Sequence, residues 1–171
     1  MSDITKWLRD DHARIKRLIL RANQNAEDLD IALDVCDELT IHATIEEEIL
    51  YPALRELNAG MADESEDEHE TAKELIAEIE DLDPDDPAVR TMMMQLQKSV
   101  VRHFDKEEAT TFKVIERGYP DQLLEMGMQA FALRQELLGA RPTRSSTLTP
   151  NTTNVGWGRA RRRSNTANMG F

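Results

Sequence analysis

Histidine and glutamate recur at helical spacing in this chain of 171 residues. Two of its four histidines are followed four residues later by a glutamate, which gives the pairs His42–Glu46 and His103–Glu107. Residues at positions i and i+4 are neighbours on a helix surface, about 5–6 Å apart. Each pair can therefore present an imidazole and a carboxylate to one metal ion.

Both glutamates fall on stripes of apolar residues, which predicts that their carboxylates are buried. The two stripes, read at alternating spacings of three and four, are Val35, Leu39, His42, Glu46, Ile49 and Ala53, and Val89, Met93, Leu96, Val100, His103, Glu107, Thr110 and Val114. An ionised carboxylate in an apolar core is costly unless positive charge compensates it. Two such carboxylates facing each other indicate a metal between them.

The ligand types and their order favour a pair of ions. A lone histidine, His12, precedes His42 by 30 residues, and a second lone histidine, His69, precedes His103 by 34. Two helical hairpins packed face to face would give each ion two imidazoles, with Glu46 bridging the ions alongside the second glutamate. Imidazole and carboxylate suit iron or manganese better than calcium. Zinc is an alternative, although the chain has neither an HExxH motif nor a cysteine cluster.

Three flanking glutamates and one tyrosine can each be interpreted in more than one way. Glu47, Glu48 and Glu108 belong to acidic runs, which are typical of a solvated face, and Glu47 or Glu108 as a substitute ligand is the alternative. Tyr51 is interpreted as a wall residue with a hydrogen-bonded hydroxyl. Its alternatives are a phenolate ligand and a proton donor.

The elements that must position these residues are helices. Apolar periodicity and chain breakers predict five of them, at about residues 3–27, 30–57, 65–82, 87–117 and 121–138. The predicted fold class is all-α, an up-down-up-down four-helix bundle with a short fifth helix. We expect this domain to span residues 1–139. Residues 140–171, rich in Ser, Thr, Asn and Arg, are predicted to be a disordered tail.

Composition predicts a soluble cytoplasmic protein. There is no apolar run of membrane-spanning length and no secretory signal, and the single cysteine, Cys36, fits a reducing compartment as a packing residue rather than a redox group. Six of the 21 Lys and Arg residues follow Ala140, so the first 140 residues carry 15 bases against all 33 acids. So acidic a body is not expected to bind nucleic acid directly.

At these residues the chain resembles the hemerythrin-like, or HHE cation-binding, family. The resemblance covers roughly residues 3–138 and rests on DDH at 10–12, HATIEEEILYP at 42–52, DEHE at 67–70 and HFDKEE at 103–108. It implies a non-haem di-iron centre of the bacterial type, with four histidines and two glutamates as ligands: His12, His42, Glu46, His69, His103 and Glu107.

One position departs from the oxygen carriers of that family. They have a fifth histidine one turn after the helix-three ligand, where this chain has Lys73. Its second carboxylate also follows its histidine by four residues rather than five. The missing histidine argues against reversible oxygen carriage and for either a redox reaction with a small oxidant or sensing through metal occupancy. The four-residue spacing points to the broader bacterial-type group.

Three functions follow as hypotheses. The first is a di-iron protein that binds or reacts with a small diatomic or peroxide ligand. The second is an iron or redox sensor, in which the metal organises the bundle and the basic tail contacts a protein partner. The third is an enzyme with catalase-like or nitric-oxide-peroxidase-like activity, with Tyr51 as its proton donor.

Overall fold

The computed structural model describes residues 2–25, 28–83 and 86–140. This part of the chain consists of helices joined by turns and contains no strand, which confirms the all-α class. The α-helices are α1 (Ile4–Gln24), α2 (Leu29–Ile45), α3 (Tyr51–Leu57), α4 (Ala59–Glu80), α5 (Ala88–Lys106), α6 (Phe112–Gly118) and α7 (Leu123–Ala140). Two π-helical turns complete the elements: π1 (Glu46–Leu50) joins α2 to α3, and π2 (Glu107–Thr111) joins α5 to α6.

Polar side chains set the helix starts. Asp3 accepts a hydrogen bond from the backbone N–H of Lys6 at 2.8 Å and so caps α1. The prediction that the third helix begins near residue 65 is wrong, because the Asn58 side chain accepts from the N–H of Met61 and starts α4 at Ala59. The fourth predicted helix begins close to its predicted start, as α5 at Ala88, and the Asp86 carboxylate accepts from the backbone N–H of Ala88 at 2.8 Å.

The helices pack around two apolar clusters. The first is built mainly from α1, α2, α4 and α5, and includes Ile15, Leu39, Ile76, Val100 and Phe104. The second adds residues of α3, α6 and α7, and includes Leu8, Ile45, Leu50, Tyr51 and Ile115. Cys36 is fully buried in the first cluster, as the packing interpretation requires.

Helix α7 lies against α1 and α2. The close approach is made at Gly127, where a β-carbon would collide with the backbone carbonyl of Ser2 and lie 2.9 Å from the carbonyl carbon of Asp3. Glycine is therefore required at this position for α7 to contact the start of the chain.

The two π turns shift the buried face by one residue, which corrects the predicted stripes. After Glu46 the predicted buried positions Ile49 and Ala53 are only partly buried, and Leu50 and Leu54 are fully buried instead. After Glu107 the same shift puts Thr111 and Ile115 in the core, in place of Thr110 and Val114. A π turn contains one more residue than an α turn, so every later side chain rotates relative to α-helical spacing.

Some predictions fall on residues that are not described. The predicted tail, apart from Ala140, which ends α7, lies outside the described residues, and so does any contact it makes with a partner. Within the described ranges, no helix is both long and apolar enough to cross a membrane.

Candidate metal centre

All six sequence-predicted ligands meet in one buried layer between the two apolar clusters. Each helix of the pair α1 and α4 contributes one histidine, whereas α2 and α5 each contribute a histidine whose glutamate begins the following π turn. The six side chains are His12, His42, Glu46, His69, His103 and Glu107, and the least buried of them exposes only 5% of its surface. The six side chains are therefore largely shielded from solvent.

Glu46 is the central acid of this layer. Its Oε1 lies 3.7 Å from Nε2 of His12, and its Oε2 lies 3.2 Å from Nε2 of His42 and 3.3 Å from Nε2 of His69. Its Oε2 is also 3.9 Å from Nε2 of His103. One carboxylate thus faces all four imidazoles.

Glu107 faces one histidine from each hairpin. Its Oε2 lies 3.5 Å from Nε2 of His12 and 3.3 Å from Nε2 of His103. Together with Glu46 it can bridge two ions.

The donor atoms form two overlapping groups whose members lie within 4.8 Å of one another. The first group has four donors, from His12, His42, Glu46 and Glu107, whereas the second has three, from Glu46, His69 and His103. The groups share Glu46. This arrangement fits two ions held side by side.

The chemistry of the buried atoms fits metal as well. Nε2 of His12, Nε2 of His42, Oε1 of Glu46 and Oε2 of Glu107 are buried and have no hydrogen-bond partner among the described residues. Buried polar atoms are costly unless they are satisfied, and these four all point into one layer. A cation would satisfy all four at once.

Each histidine is hydrogen-bonded at its Nδ1 to a carboxylate. The distances are 2.9 Å for His12 to Glu108, 2.9 Å for His42 to Asp11, 2.8 Å for His69 to Glu47 and 2.9 Å for His103 to Glu68. A carboxylate at Nδ1 fixes the tautomer that leaves the Nε2 lone pair free to bind a metal, and it raises the basicity of the ligand. All four imidazoles are therefore oriented for coordination.

The pairing pattern is the same in both halves of the chain. Each lone histidine is hydrogen-bonded to a glutamate of the other half. This glutamate directly follows the one that begins the π turn, so His12 pairs with Glu108 and His69 pairs with Glu47. Each histidine of a His-x-x-x-Glu pair is hydrogen-bonded to an acidic residue of its own half. This residue directly precedes the lone histidine, so His42 pairs with Asp11 and His103 pairs with Glu68. The two halves are related by an approximate internal repeat.

In both halves of the chain, positively charged side chains form ion pairs with the carboxylates that contact the histidine Nδ1 atoms. Lys16 and Lys73, each four residues after a lone histidine, pair with the glutamates behind those histidines, at 3.8 Å to Glu108 and 2.9 Å to Glu47. Lys73 is thus turned outward, as expected, and its ammonium group also contacts Glu70. Arg14 lies 2.7 Å from Asp11, and Lys106 lies 3.3 Å from Glu68.

The electrostatics of the layer stabilise charged imidazoles when no metal is present. Burial acts to lower the pKa of His42, but the Glu46 and Asp11 carboxylates outweigh it and raise that pKa to about 10. Glu107, Glu46 and Glu68 likewise overcome burial and raise the pKa of His103 to about 10. The His103 hydrogen bond lowers the pKa of Glu68 to about 2. The site thus attracts positive charge, and metal binding must displace protons.

Tyr51 reaches the layer from the second apolar cluster. Its hydroxyl lies 3.0 Å from both Oε1 of Glu107 and Nε2 of His69, and 3.4 Å from both Oε2 of Glu46 and Nε2 of His103. Burial, together with the Glu46 and Glu107 charges, raises the pKa of this phenol well above its usual value. The hydroxyl can therefore donate a hydrogen bond or a proton directly at the site.

Sequence reasoning missed the roles of the four carboxylates that contact the histidine Nδ1 atoms, here called the outer carboxylates: Asp11, Glu47, Glu68 and Glu108. Glu47 and Glu108 were expected on a solvated face, but they are only about one-third exposed and bind histidine nitrogens. Asp11 and Glu68 were not singled out at all. The available signal was their position, because each directly precedes a lone histidine in the DDH and DEHE strings.

Comparison with known proteins agrees with this centre. The chain is 28% identical over 149 residues to a protein described as a DNA nickase from Nostoc sp. (strain PCC 7120 / SAG 25.82 / UTEX 2576). That match covers 82% of this chain but only 42% of the relative, so the chain spans less than half of the relative's length. No solved structure matches. The family model of the hemerythrin HHE cation-binding domain matches residues 3–115, and the chain belongs to that family.

Proposed function

We propose that this chain is a non-haem di-iron protein of the cytoplasm that binds or reacts with small oxidants, namely oxygen, peroxide or nitric oxide. The four long helical segments would form an up-down-up-down bundle, with α7 packed on its outside. Contacts between α1 and α2, between α4 and α5, and between α1 and α5 support that arrangement. Manganese or zinc are alternatives to iron at the same donors.

The position of Glu46 carries the proposal. It belongs to both donor groups and faces all four histidines, which is the role of a carboxylate bridging two ions. A single bound ion would leave donors of one group buried without a partner. The remaining donors, His12, His42, His69, His103 and Glu107, are proposed as ligands on the same geometry.

When bound, a pair of iron ions supplies the electrons and the open coordination positions for reaction with a small oxidant. The side chains of the protein position the ligands, exclude water and hold a proton. The four Nδ1–carboxylate bonds hold the imidazoles in place, the two apolar clusters exclude bulk water, and the Tyr51 hydroxyl holds a proton beside Glu107 and His69.

Metal analysis of the purified protein and of one matched pair of variants tests the proposal. We expect two iron ions per chain in the wild-type protein, and far fewer in Glu46→Gln, because the amide is uncharged and has only one oxygen where the carboxylate offers two. Glu48→Gln is the control, since Glu48 is exposed in the same π turn. A wild-type protein without bound metal, or a Glu46→Gln protein with two ions, would contradict the proposal.

DNA cleavage is not part of the proposed function. The nickase from Nostoc is the longer protein, and its activity can reside outside the shared region. Residues 1–140 of this chain carry more than twice as many acids as bases, which opposes contact with a phosphate backbone.

A further inference from the structure

Helix α7 lies outside residues 3–115, the part of the chain that matches the family model. Even so, it contributes a charged side chain to the surroundings of the metal centre. Nη2 of Arg134 donates to Oε2 of Glu38 at 2.6 Å, and its Nη1 lies 3.7 Å from Oδ1 of Asp11. Asp11 is the outer carboxylate of His42. Arg134 is therefore linked to a proposed metal ligand through one intervening side chain.

Arg134 belongs to a cluster of two acids and two arginines from three helices. Arg14 of α1 lies 2.7 Å from Asp11 of the same helix and 2.7 Å from Glu38 of α2, so both arginines contact both acids. The side chains of Asp11, Glu38 and Arg134 are only 5%, 12% and 15% exposed. Removing one member of a buried ion-pair network leaves the others uncompensated. The negative charge of Asp11 is thus compensated by Arg134 as well as by Arg14.

The second half of the internal repeat obtains this compensation from its own helix. Arg102 directly precedes His103 on α5, and Lys106 follows that histidine by three residues. Their side-chain nitrogens lie 3.6 Å and 3.3 Å from the outer carboxylate of His103, Glu68. The Arg102 side chain is 75% exposed, so water screens much of its charge.

The first half has isoleucines at the equivalent positions. Ile41 directly precedes His42 and Ile45 follows it by three residues, which are the positions of the two α5 cations relative to their histidine. Both isoleucines are buried in the second apolar cluster, which also contains Met126 of α7. Helix α7 lies against α2, and α2 contains neither lysine nor arginine. Arg134 thus brings to this side of the centre a cation that α2 does not supply.

We propose that Arg134 is a positioning residue of the metal centre, through which α7 limits the donor strength of His42 and raises the reduction potential of the iron ion in the first donor group. A carboxylate at Nδ1 strengthens the imidazole as a ligand. A guanidinium group beside that carboxylate offsets part of its negative charge and so weakens this effect. A buried positive charge near an iron ion also favours Fe(II) over Fe(III), because the less charged ion is repelled less. The tuning of iron rests on the proposed function, whereas the contact between Arg134 and Asp11 does not.

A double-mutant cycle in the metal-free protein tests the contact itself. Arg134→Gln removes the guanidinium charge and Asp11→Asn removes the carboxylate charge, and urea denaturation gives the free energy of unfolding of each variant and of the double variant. We expect the two effects to be non-additive, because either substitution alone leaves a buried charge uncompensated. Arg17→Gln, at an exposed arginine of α1, is the matched control and should be additive with Asp11→Asn. Additive effects of Arg134→Gln and Asp11→Asn would overturn the proposal.

Redox titration of the iron-loaded protein tests the tuning. We expect Arg134→Gln to retain two iron ions and to shift the Fe(III)/Fe(II) ratio of one of them about tenfold toward Fe(III), which lowers its reduction potential by about 59 mV. Arg134→Lys keeps the positive charge and should restore most of the wild-type potential, and Arg17→Gln should leave both potentials unchanged. Arg134→Met, which keeps the aliphatic part of the side chain, provides the same test if the glutamine variant folds poorly.

A purely structural role for Arg134 predicts a different result. Loss of iron from the neutral variants, without a shift in the potential of the iron that remains, would overturn the proposal. Unchanged potentials in a neutral variant that holds two iron ions would also overturn it and leave the di-iron function supported. A wild-type protein that binds no metal would instead contradict the di-iron function, whatever the result of the metal-free cycle.

Discussion

Glu46 and Leu50 are the first and last residues of one π-helical turn, and both side chains are completely buried. The backbone N–H of Tyr51 donates to the carbonyl of Glu46 across this turn. The wider turn lets the carboxylate face the histidines while the next apolar residues remain in the core. Glu107 and Thr111 have the same relationship in the other half.

Deleting Glu48 tests whether the π turn is required. The deletion restores α-helical spacing from Glu46 to Leu50 and Leu54, so we expect helix content by circular dichroism to be retained. The Glu46 carboxylate and Tyr51 should rotate relative to one another, and metal content should fall. Glu48→Ala, which keeps the chain length, is the control. A deletion variant with full metal content would show that the π turn is dispensable.

Asp11→Asn tests the carboxylates behind the histidines. The substitution keeps the size of the side chain but removes the charge that accepts from Nδ1 of His42 at 2.9 Å. We expect metal affinity to fall about 10–100-fold, measured by competition with a chelator. Asp10→Asn is the matched control, because Asp10 is exposed and pairs with Lys6 at the surface. Equal affinities for the two variants would argue against a role for Asp11.

Tyr51→Phe separates a proton donor from a metal ligand. If the hydroxyl donates a proton, the variant should retain its iron and react with hydrogen peroxide about 10²-fold more slowly. Tyr119→Phe, at an exposed tyrosine that bonds to Glu56, provides the control. Loss of iron would instead identify Tyr51 as a ligand, and an unchanged rate would exclude the donor role.

Gly127→Ala tests the packing of α7. The added methyl group meets the backbone of Ser2 and Asp3, which cannot move aside as a flexible side chain would. We expect a loss of about 1–3 kcal/mol in the free energy of unfolding, measured by urea denaturation. Gly139→Ala, on the same helix and with no atom of the described residues within 4 Å of the new methyl group, should not destabilise the protein. Equal stability of the two variants would contradict the close contact.

We also expect no cleavage of supercoiled plasmid by the iron-loaded protein. The acidic residues of the helical body repel the phosphate backbone, so addition of the protein should leave the plasmid supercoiled on agarose gels. Nicking that persists after size-exclusion purification, and that Glu46→Gln abolishes, would contradict this expectation.

The sequence predicted the six side chains of the buried layer more accurately than the bounds and buried faces of the helices on which they lie. Histidine and glutamate at four-residue spacing place Glu46 beside His42 whatever happens later in the chain, since the π turn begins only at Glu46. The positions of Ile49 and Thr110 were predicted wrongly, because a π turn has no local residue signature. The start of α4 was missed because Asn58 both ends one helix and caps the next.

The outer carboxylates could not be predicted from spacing within one helix. Glu47 binds a histidine 22 residues away and Glu108 one 96 residues away, so both contacts depend on how the helices pack.

The matched pairing of Glu47 with His69 and of Glu108 with His12 has an evolutionary consequence. Each half of the chain contributes one lone histidine, one histidine–glutamate pair and one outer glutamate that crosses to the other half. Two identical hairpins related by a two-fold axis would make the same crossed contacts. Such a pattern is what fusion of two copies of an ancestral hairpin gene would leave, with the ancestral centre assembled by a homodimer.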